Sequence, residues 1–409
     1  MRIGIGLNLL APDNGGVTNY VLTLLRHWPE FAPGHEMLLF SFAHNEPLLA
    51  TLPPEARQHE IRLQTQEEAL DHFGQIDVYF CPFGTLWPRP VRKPSVLTFH
   101  DMQERFYPEF FTKKEHEERF FHYDWSLRMA DAVIAISDFT RAMAVQIAGA
   151  SRGKFHVVGH VPDALPAPEK PAGWTLREGQ PFAFYPANFW QHKNHLRLLT
   201  AMTRVKAASP DLALVCTGSL LGRDAEFHDA ARAAGVADRV LHLGKVPRAE
   251  ISWLYRQARA LAFASLFEGF GIPLLEAMQT ELPIVCGNNT SQPDVARNAA
   301  LYCDAANPDS IATALLRIHA DEPLRARLVA AGRERLQDFT VRKLIDGHLA
   351  AFATARRRHH PLRAWYNERV RLPRSLQMRT ELTEREQRVA ARLLRSRSRL
   401  PAGTEQVTP

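Results

Sequence analysis

Two glutamates on either side of a glycine turn are the residues of this chain best suited to chemistry. They are Glu268 and Glu276, within Ser265-Leu-Phe-Glu-Gly-Phe-Gly-Ile-Pro-Leu-Leu-Glu-Ala-Met278. The apolar run at 260–264 before them reads as a buried strand. Pro273 suits the first turn of a helix, and residues 274–279 are good helix formers. A strand, an acidic glycine loop and a helix in that order offer unpaired N–H groups and a partial positive charge, which suits a phosphate. Glu268 falls in the loop and Glu276 about one turn into the helix, so both can face one ligand with an anionic centre and hydroxyl-rich ends. Glu276 stands among Leu274, Leu275, Ala277 and Met278, where a carboxylate needs hydrogen-bond donors. Vicinal ribose hydroxyls would supply two. The plainer alternative is one capping and one surface carboxylate.

Three more groups sit where strands should end. Gly15 and Gly16, in Pro12-Asp-Asn-Gly-Gly-Val-Thr-Asn19, open a helix and would let the backbone approach an anion, or are a plain strand-to-helix turn. His100-Asp101 follows the run Ser95–Phe99; the histidine can bond a substrate hydroxyl or be a satisfied structural residue. Lys193, in His192-Lys193-Asn194, lies at a helix start, where the dipole repels cations. A diphosphate would resolve that conflict; a solvated surface lysine is the alternative. The chain has no Asp-x-Asp. A diphosphate site without that metal-binding pair must neutralise charge through Lys193, the Gly15 and Gly16 amides and the N-terminus around Gly271–Pro273.

The elements that must carry these residues alternate. Runs at Ile3–Leu10, Glu36–Phe42, Val78–Cys81, Ser95–Phe99 and Ala132–Ile136 read as strands, with helices at Asn19–Trp28, Glu115–Met129 and Asp138–Ile147. A stretch with four prolines, Gly159 to Gln180, reads as a linker. The pattern restarts with strands at Phe182–Tyr185, Leu212–Thr217, Val240–Leu243, Ala260–Ala264, Pro283–Cys286 and Ala300–Tyr302. Helices at His195–Ala208, Asp224–Ala234, Arg248–Gln257, Pro273–Gln279, Pro308–Ala320 and Pro323–Phe339 fit between them. Two α/β units of this kind predict parallel sheets with ligands at the carboxyl ends of strands.

A length of 409 residues favours two domains over one. Scattered Cys81, Cys216, Cys286 and Cys303 read as buried thiols of a reducing compartment. Arg2 with the run Ile3–Leu10 lacks a small-residue cleavage site and reads as a first strand, not a leader. The net charge of +6 is uneven: Ala355–Pro409 holds fourteen arginines and five acids, a surplus of nine, so the rest carries −3. That net-acidic body argues against nucleic acid as a partner.

Together these residues resemble glycosyltransferase family 4, of the GT-B fold, over roughly Met1 to Phe352. The motifs are His192-Lys-Asn194, Thr217-Gly218, and Phe267-Glu-Gly-Phe-Gly-Ile-Pro-Leu-Leu-Glu-Ala-Met278, which matches the family's Glu-x7-Glu signature; Gly15-Gly16 with Tyr20, and His100-Asp101, match in order and spacing. The resemblance implies an α/β fold of two Rossmann-like domains facing across a cleft. Their expected bounds are 1–165 on the acceptor side and 178–340 on the donor side, then a helix at 341–365 crossing back and a basic tail at 366–409. It implies Glu276 on the ribose, Glu268 on the donor sugar, and the Phe270, Gly271 and Ile272 amides on sugar or phosphate. Lys193, with Asn194 and Gly218 nearby, would meet the diphosphate, Gly16 the phosphates, and His100 the sugar hydroxyls. It implies retention at the anomeric carbon, no cofactor and no catalytic metal. The partners would be a nucleotide sugar and a glycan or lipid-linked acceptor in cell-surface polysaccharide synthesis, of mannosyl or rhamnosyl type, in the cytoplasm. A sugar-nucleotide epimerase and a silent scaffold are the rivals.

Three positions depart from the family pattern. The usual arginine near 187 or 188 is replaced by Ala187 and Asn188, leaving Lys193 to work with Arg223 or with backbone amides. Glu281 replaces a helix-ending glycine, so the helix is expected to end differently. Asp294 replaces a glutamate. The basic tail, with Leu376, Met378, Leu382, Val389, Leu393 and Leu394 among its arginines, either lies against anionic lipid at the inner face of the membrane or is a solvated end. The aromatic stretch Phe106–Trp125 could line an acceptor groove, touch a membrane or pack in a core.

Overall fold

The structure is a computed structural model that describes residues 1–12, 15–88, 91–366, 369, 383–396 and 404–407. The chain divides into two units, Met1–Val161 with Phe339–Arg392, and Pro162–Asp338 with Leu393–Pro409.

The first unit is a parallel sheet of seven strands. They are β1 (Arg2–Gly6), β2 (Glu36–Ser41), β3 (Glu60–Arg62), β4 (Val78–Cys81), β5 (Ser95–Phe99), β6 (Ala132–Ala135) and β7 (Phe155–Val157), in the order β3-β2-β1-β4-β5-β6-β7. Every residue of β4, β5 and β6 is buried, as strands covered on both faces require. The helix Gly15–Phe31 follows β1. It is longer at both ends than the expected Asn19–Trp28. The helix Val341–Arg358 also belongs to this unit. Thr340 caps it by accepting from the Lys343 amide, and Arg356, Arg357 and Arg358 close it where the dipole favours cations. Its buried face, Leu344, Ile345, His348, Ala351, Phe352 and Ala355, recurs at helical spacing and enters the same core as Ile3, Ile5, Leu24, Trp28 and Phe80.

The second unit repeats the topology. Its strands are β8 (Phe182–Pro186), β9 (Ala213–Thr217), β10 (Val240–His242), β11 (Ala260–Phe263), β12 (Ile284–Gly287), β13 (Ala300–Cys303) and β14 (Glu405–Gln406), in the order β10-β9-β8-β11-β12-β13-β14. All pairs are parallel. Strand order therefore reverses between β1 and β4 in one sheet and between β8 and β11 in the other, the points where open α/β sheets take ligands.

The short strands β3, β7 and β14 were not expected. Each is two or three residues long, below the length at which an apolar pattern is legible. β14 lies in the supposed tail, where Glu405 accepts from Arg317 and Arg327 at 2.7 and 2.8 Å. Glu384–Ser396, holding Val389, Leu393 and Leu394, is helical. The expectations at Leu376, Met378 and Leu382 lie outside the described residues. All four cysteines are buried free thiols. Among the described residues no helix is long and apolar enough to cross a membrane.

Candidate donor site

The second unit gathers Lys193, Asn194, Glu268, Phe270, Gly271, Ile272 and Glu276 on the segments that leave β8 and β11, its point of reversal. Lys193 ends a tight turn, Gln191–Lys193, and Asn194 follows in the left-handed region at φ 63° before the helix His195–Ala208 begins. The Asn194 side chain justifies that conformation. Its Nδ2 donates to the carbonyls of Ala264 and Ala305 at 2.9 and 2.7 Å, tying the turn to the end of β11 and to the segment after β13. The Leu266 amide donates to the His192 carbonyl at 2.8 Å. The buried Tyr185 hydroxyl bonds the Lys193 carbonyl and, at 3.1 Å, Ser265 Oγ. Two loops far apart in sequence are thereby held as one surface.

Across that surface Lys193 Nζ lies 2.6 Å from Glu268 Oε1. Their side chains are 20% and 10% exposed, so the pair is shielded but reachable. The Glu268 loop is braced from the third side: its amide donates to Thr290 Oγ1 at 3.2 Å, and Ser291 Oγ reaches the carbonyls of Glu268 and Phe270 at 2.9 and 3.0 Å. Gly271 takes φ 103°, a conformation open to glycine. No side chain caps the helix Ile272–Gln279 that follows.

Glu276 is buried, as its apolar neighbours implied, but its donors belong to the protein. Arg248 Nη1 donates to Oε1 and the Tyr255 hydroxyl to Oε2, both at 2.7 Å. Burial and the neighbouring Glu276 charge push the Tyr255 hydroxyl's pKa well up, so it stays a donor. Burial works to lower the Arg248 guanidinium, and the Glu276 charge and hydrogen bond outweigh it. Each carboxylate oxygen keeps a second lone pair for a hydroxyl of a ligand. Arg248 and Tyr255 were missed from sequence. A signal existed: Arg248 opens the helix Arg248–Gln257, the same conflict with the dipole that drew attention to Lys193.

The three departures resolve as follows. Gly218, at φ 115°, lies so close to the 187–188 peptide that a Cβ would stand 2.7 Å from the Ala187 carbonyl. That loop is held by backbone contact. Arg223 stacks on Phe189 at 4.7 Å from the ring, yet its guanidinium is bound by both oxygens of Glu226 at 2.7 and 2.6 Å. Its charge is already matched. The expectation of a different helix end at Glu281 is corrected: Glu281 takes the left-handed conformation at φ 57° that a glycine would. Leu282 and Glu281 amides bond the carbonyls of Ala277 and Met278 at 2.8 and 3.2 Å, a Schellman end, with Arg333 bonded to the Glu281 carboxylate. Asp294 sits in the short helix Gln292–Ala296, its carbonyl accepting from Arg335.

Gly15, Gly16 and His100 belong to the first unit. Gly15 and Gly16 begin the helix after β1, and His100 follows β5. His100 Nε2 donates to the Pro82 carbonyl at 2.7 Å, so Nδ1 is a bare, buried acceptor. His160 stacks on His100 at 6.1 Å and meets Tyr20 edge-on at 5.0 Å. The Tyr20 hydroxyl bonds Thr98 at 2.8 Å and His348 Nε2 at 2.6 Å, while His348 Nδ1 donates to Leu344. Burial lowers all three imidazoles, His160 to about 3 and His348 to about 4.

In the aromatic stretch, Phe120 and Trp125 are core residues. Buried Arg105 lies over Phe120 at 3.2 Å and bonds Glu104 and Asp124. Core packing accounts for that part. Among the described residues no group of three His, Cys, Asp or Glu side chains is arranged to hold a metal.

Residues 167–335 match the family model described as glycosyl transferases group 1, and residues 14–163 that described as glycosyltransferase family 4. The chain is 27% identical over 265 residues to O-antigen chain mannosyltransferase B of Escherichia coli, covering 60% of this chain and 66% of that one. It is 25% identical over 222 residues to O-antigen chain mannosyltransferase RfbU of Salmonella typhimurium, covering 54% and 58%. The chain thus spans about two thirds or less of these relatives' lengths. Among solved structures, a sucrose-phosphate synthase from Thermosynechococcus elongatus superposes with TM-score 0.68 at 20% identity, over 86% of this chain and 98% of that one. Anabaena Alr3699/HepE in complex with UDP and glucose superposes with TM-score 0.65 at 15% identity, over 87% and 100%. These likenesses show the fold.

Proposed function

Since the chain belongs to the glycosyltransferase family 4 type, with its two-domain GT-B fold, we propose that it is a retaining transferase. It moves a sugar from a nucleotide-diphosphate sugar to a glycan or lipid-linked acceptor of a cell-surface polysaccharide. The observation that carries this reading is the pairing of Glu268 with Lys193 and of Glu276 with Arg248 and Tyr255, on either side of the Gly271 turn. Glu276 is the ribose acceptor, its rotamer set by two donors. Glu268 faces the transferred sugar. Lys193 has three N–H donors and spends one on Glu268; the others meet the diphosphate, whose negative charge grows as the sugar departs. The amides of Phe270, Gly271 and Ile272 add fixed dipoles aimed at the same charge. With no Asp-x-Asp in the chain, these groups carry the neutralisation. His100 Nδ1, bare and held in place, accepts from a sugar hydroxyl. The relatives named as O-antigen mannosyltransferases favour a mannosyl donor.

A thermal-shift screen of nucleoside diphosphates and their sugars tests this. The correct donor adds RT ln(1 + [L]/Kd), about 2.7 kcal/mol at 100-fold saturation, and its turnover with acceptor should give product of unchanged anomeric configuration. No response to any nucleoside diphosphate or its sugar overturns the reading.

A further inference from the structure

The end of the Val341–Arg358 helix turns through His359 into a short helix, Pro361–Tyr366. That corner has an unusual surface. Leu362 is 73% exposed, more than any other large apolar side chain among the described residues; Trp365 and Tyr366 are 56% and 52% exposed. They stand at i, i+3 and i+4, so they share one helical face. Arg356 and Arg357 are exposed immediately before them. From Gly347 to Tyr366 the chain holds no acidic residue and four arginines. The turn Arg152–Lys154 adds to the basic side, with exposed Arg152 next to Gly153, whose added Cβ would lie 3.9 Å from an Arg358 nitrogen. Among the described residues, the acid bonded to this corner is Asp131, which is buried and bonded to Ser95 and His359. It fixes the corner without neutralising the patch.

We propose that this corner is a membrane-docking surface in which Leu362, Trp365 and Tyr366 enter the headgroup region while Arg356 and Arg357 pair with anionic lipid phosphates. Indole and phenol rings favour the interface between water and hydrocarbon, and guanidinium matches phosphate. Basic residues near an anionic leaflet add to apolar insertion, and the two together give reversible, salt-sensitive attachment. One face of a six-residue helix is far short of the roughly 800 Å² per partner that a stable protein interface buries, whereas a lipid surface needs no complementary partner shape. The proposal is independent of the donor site, because docking requires neither nucleotide nor acceptor.

Co-sedimentation of the full chain with phosphatidylcholine vesicles, with and without phosphatidylglycerol, tests it without any sugar nucleotide. The chain should sediment with the anionic vesicles and be released by high salt. L362S/W365S/Y366S and R356Q/R357Q should each lower partitioning by about tenfold or more, with melting temperatures unchanged because these side chains are exposed. R356K/R357K and W365F/Y366F, which keep charge and ring, should retain most of it. Absent binding, equal binding to neutral vesicles, or full binding by both disrupted variants overturns the proposal. So does a lipid-free dimer that the triple variant abolishes, which would assign the face to a second copy of the chain.

Discussion

Lys193 Nζ and Glu268 Oε1 stand 2.6 Å apart. The cation expected to meet a diphosphate is thus paired with the carboxylate expected to meet the transferred sugar. The pair sets the height and direction of the ammonium, which also lies 5.7 Å from the Phe263 ring centre. A diphosphate need only take up the remaining N–H donors.

Lys193→Ala should therefore lower kcat by about 10²–10³-fold, the range for losing one donor to developing charge. Lys193→Arg should recover part of it, since the charge is kept while the point-like ammonium is not. Steady-state kinetics with the donor found by thermal shift measures both. Unchanged turnover in Lys193→Ala removes the residue from the mechanism.

Tyr255→Phe removes a buried donor from an ionised acceptor and should cost about 1.5–3 kcal/mol of stability. It should also weaken nucleotide binding by freeing the Glu276 rotamer. Arg248→Met should weaken nucleotide binding in the same way but cost less stability, because the Arg248 side chain is 44% exposed. Denaturant melts and calorimetric titration of the two single variants and the double variant should reveal coupling; strictly additive effects would separate Arg248 from Tyr255.

Glu281→Gly should raise the melting temperature, and Glu281→Ala should not. Both lose the exposed pair with Arg333, but only glycine relieves the left-handed backbone at φ 57°. Equal melting temperatures for the two variants would show that the backbone there is unstrained.

Acid should loosen the first unit. Burial holds His160 at about 3 and His348 at about 4, below the ordinary 6.5 that each regains on unfolding. Protonation then favours the unfolded chain. The stability that the neutral imidazoles contribute is complete above pH 6.5 and is lost as pH falls from there toward the folded values. Melts between pH 7.5 and 4.5 should show this decline, and His348→Gln should make it shallower by removing one titrating group while keeping a partner for Tyr20. An equal slope in the variant would exclude His348 as a source.

Much of the fold was legible because parallel strands buried on both faces are continuous apolar runs. Val78–Cys81 and Ser95–Phe99 coincide with their strands to the residue. The short edge strands carry little pattern of their own, and Glu405–Gln406 is a strand through its pairing with β13. At the site, Glu268, Glu276 and Lys193 were conspicuous because each violates a local rule: two acids beside apolar turns and a cation near a helix start. What remained hidden was who satisfies Glu276. Its donors lie 28 and 21 positions away, and such pairing belongs to the tertiary fold. Glu281 was misjudged because an ion pair and a Schellman end can hold a non-glycine residue in a glycine's conformation.

The helix Val341–Arg358 places Leu344, Ile345, Ala351, Phe352 and Ala355 in the same core as Ile3 and Ile5. On the ribosome, the first unit therefore cannot complete its core when its own sheet has emerged. It must wait until the Pro162–Asp338 part of the second unit has been synthesised, with the apolar bed for Phe352 uncovered in the interval. A fragment ending at the linker would lack that cover permanently. The first unit, although the cell starts it first, thus closes its core only after most of the second unit has been made.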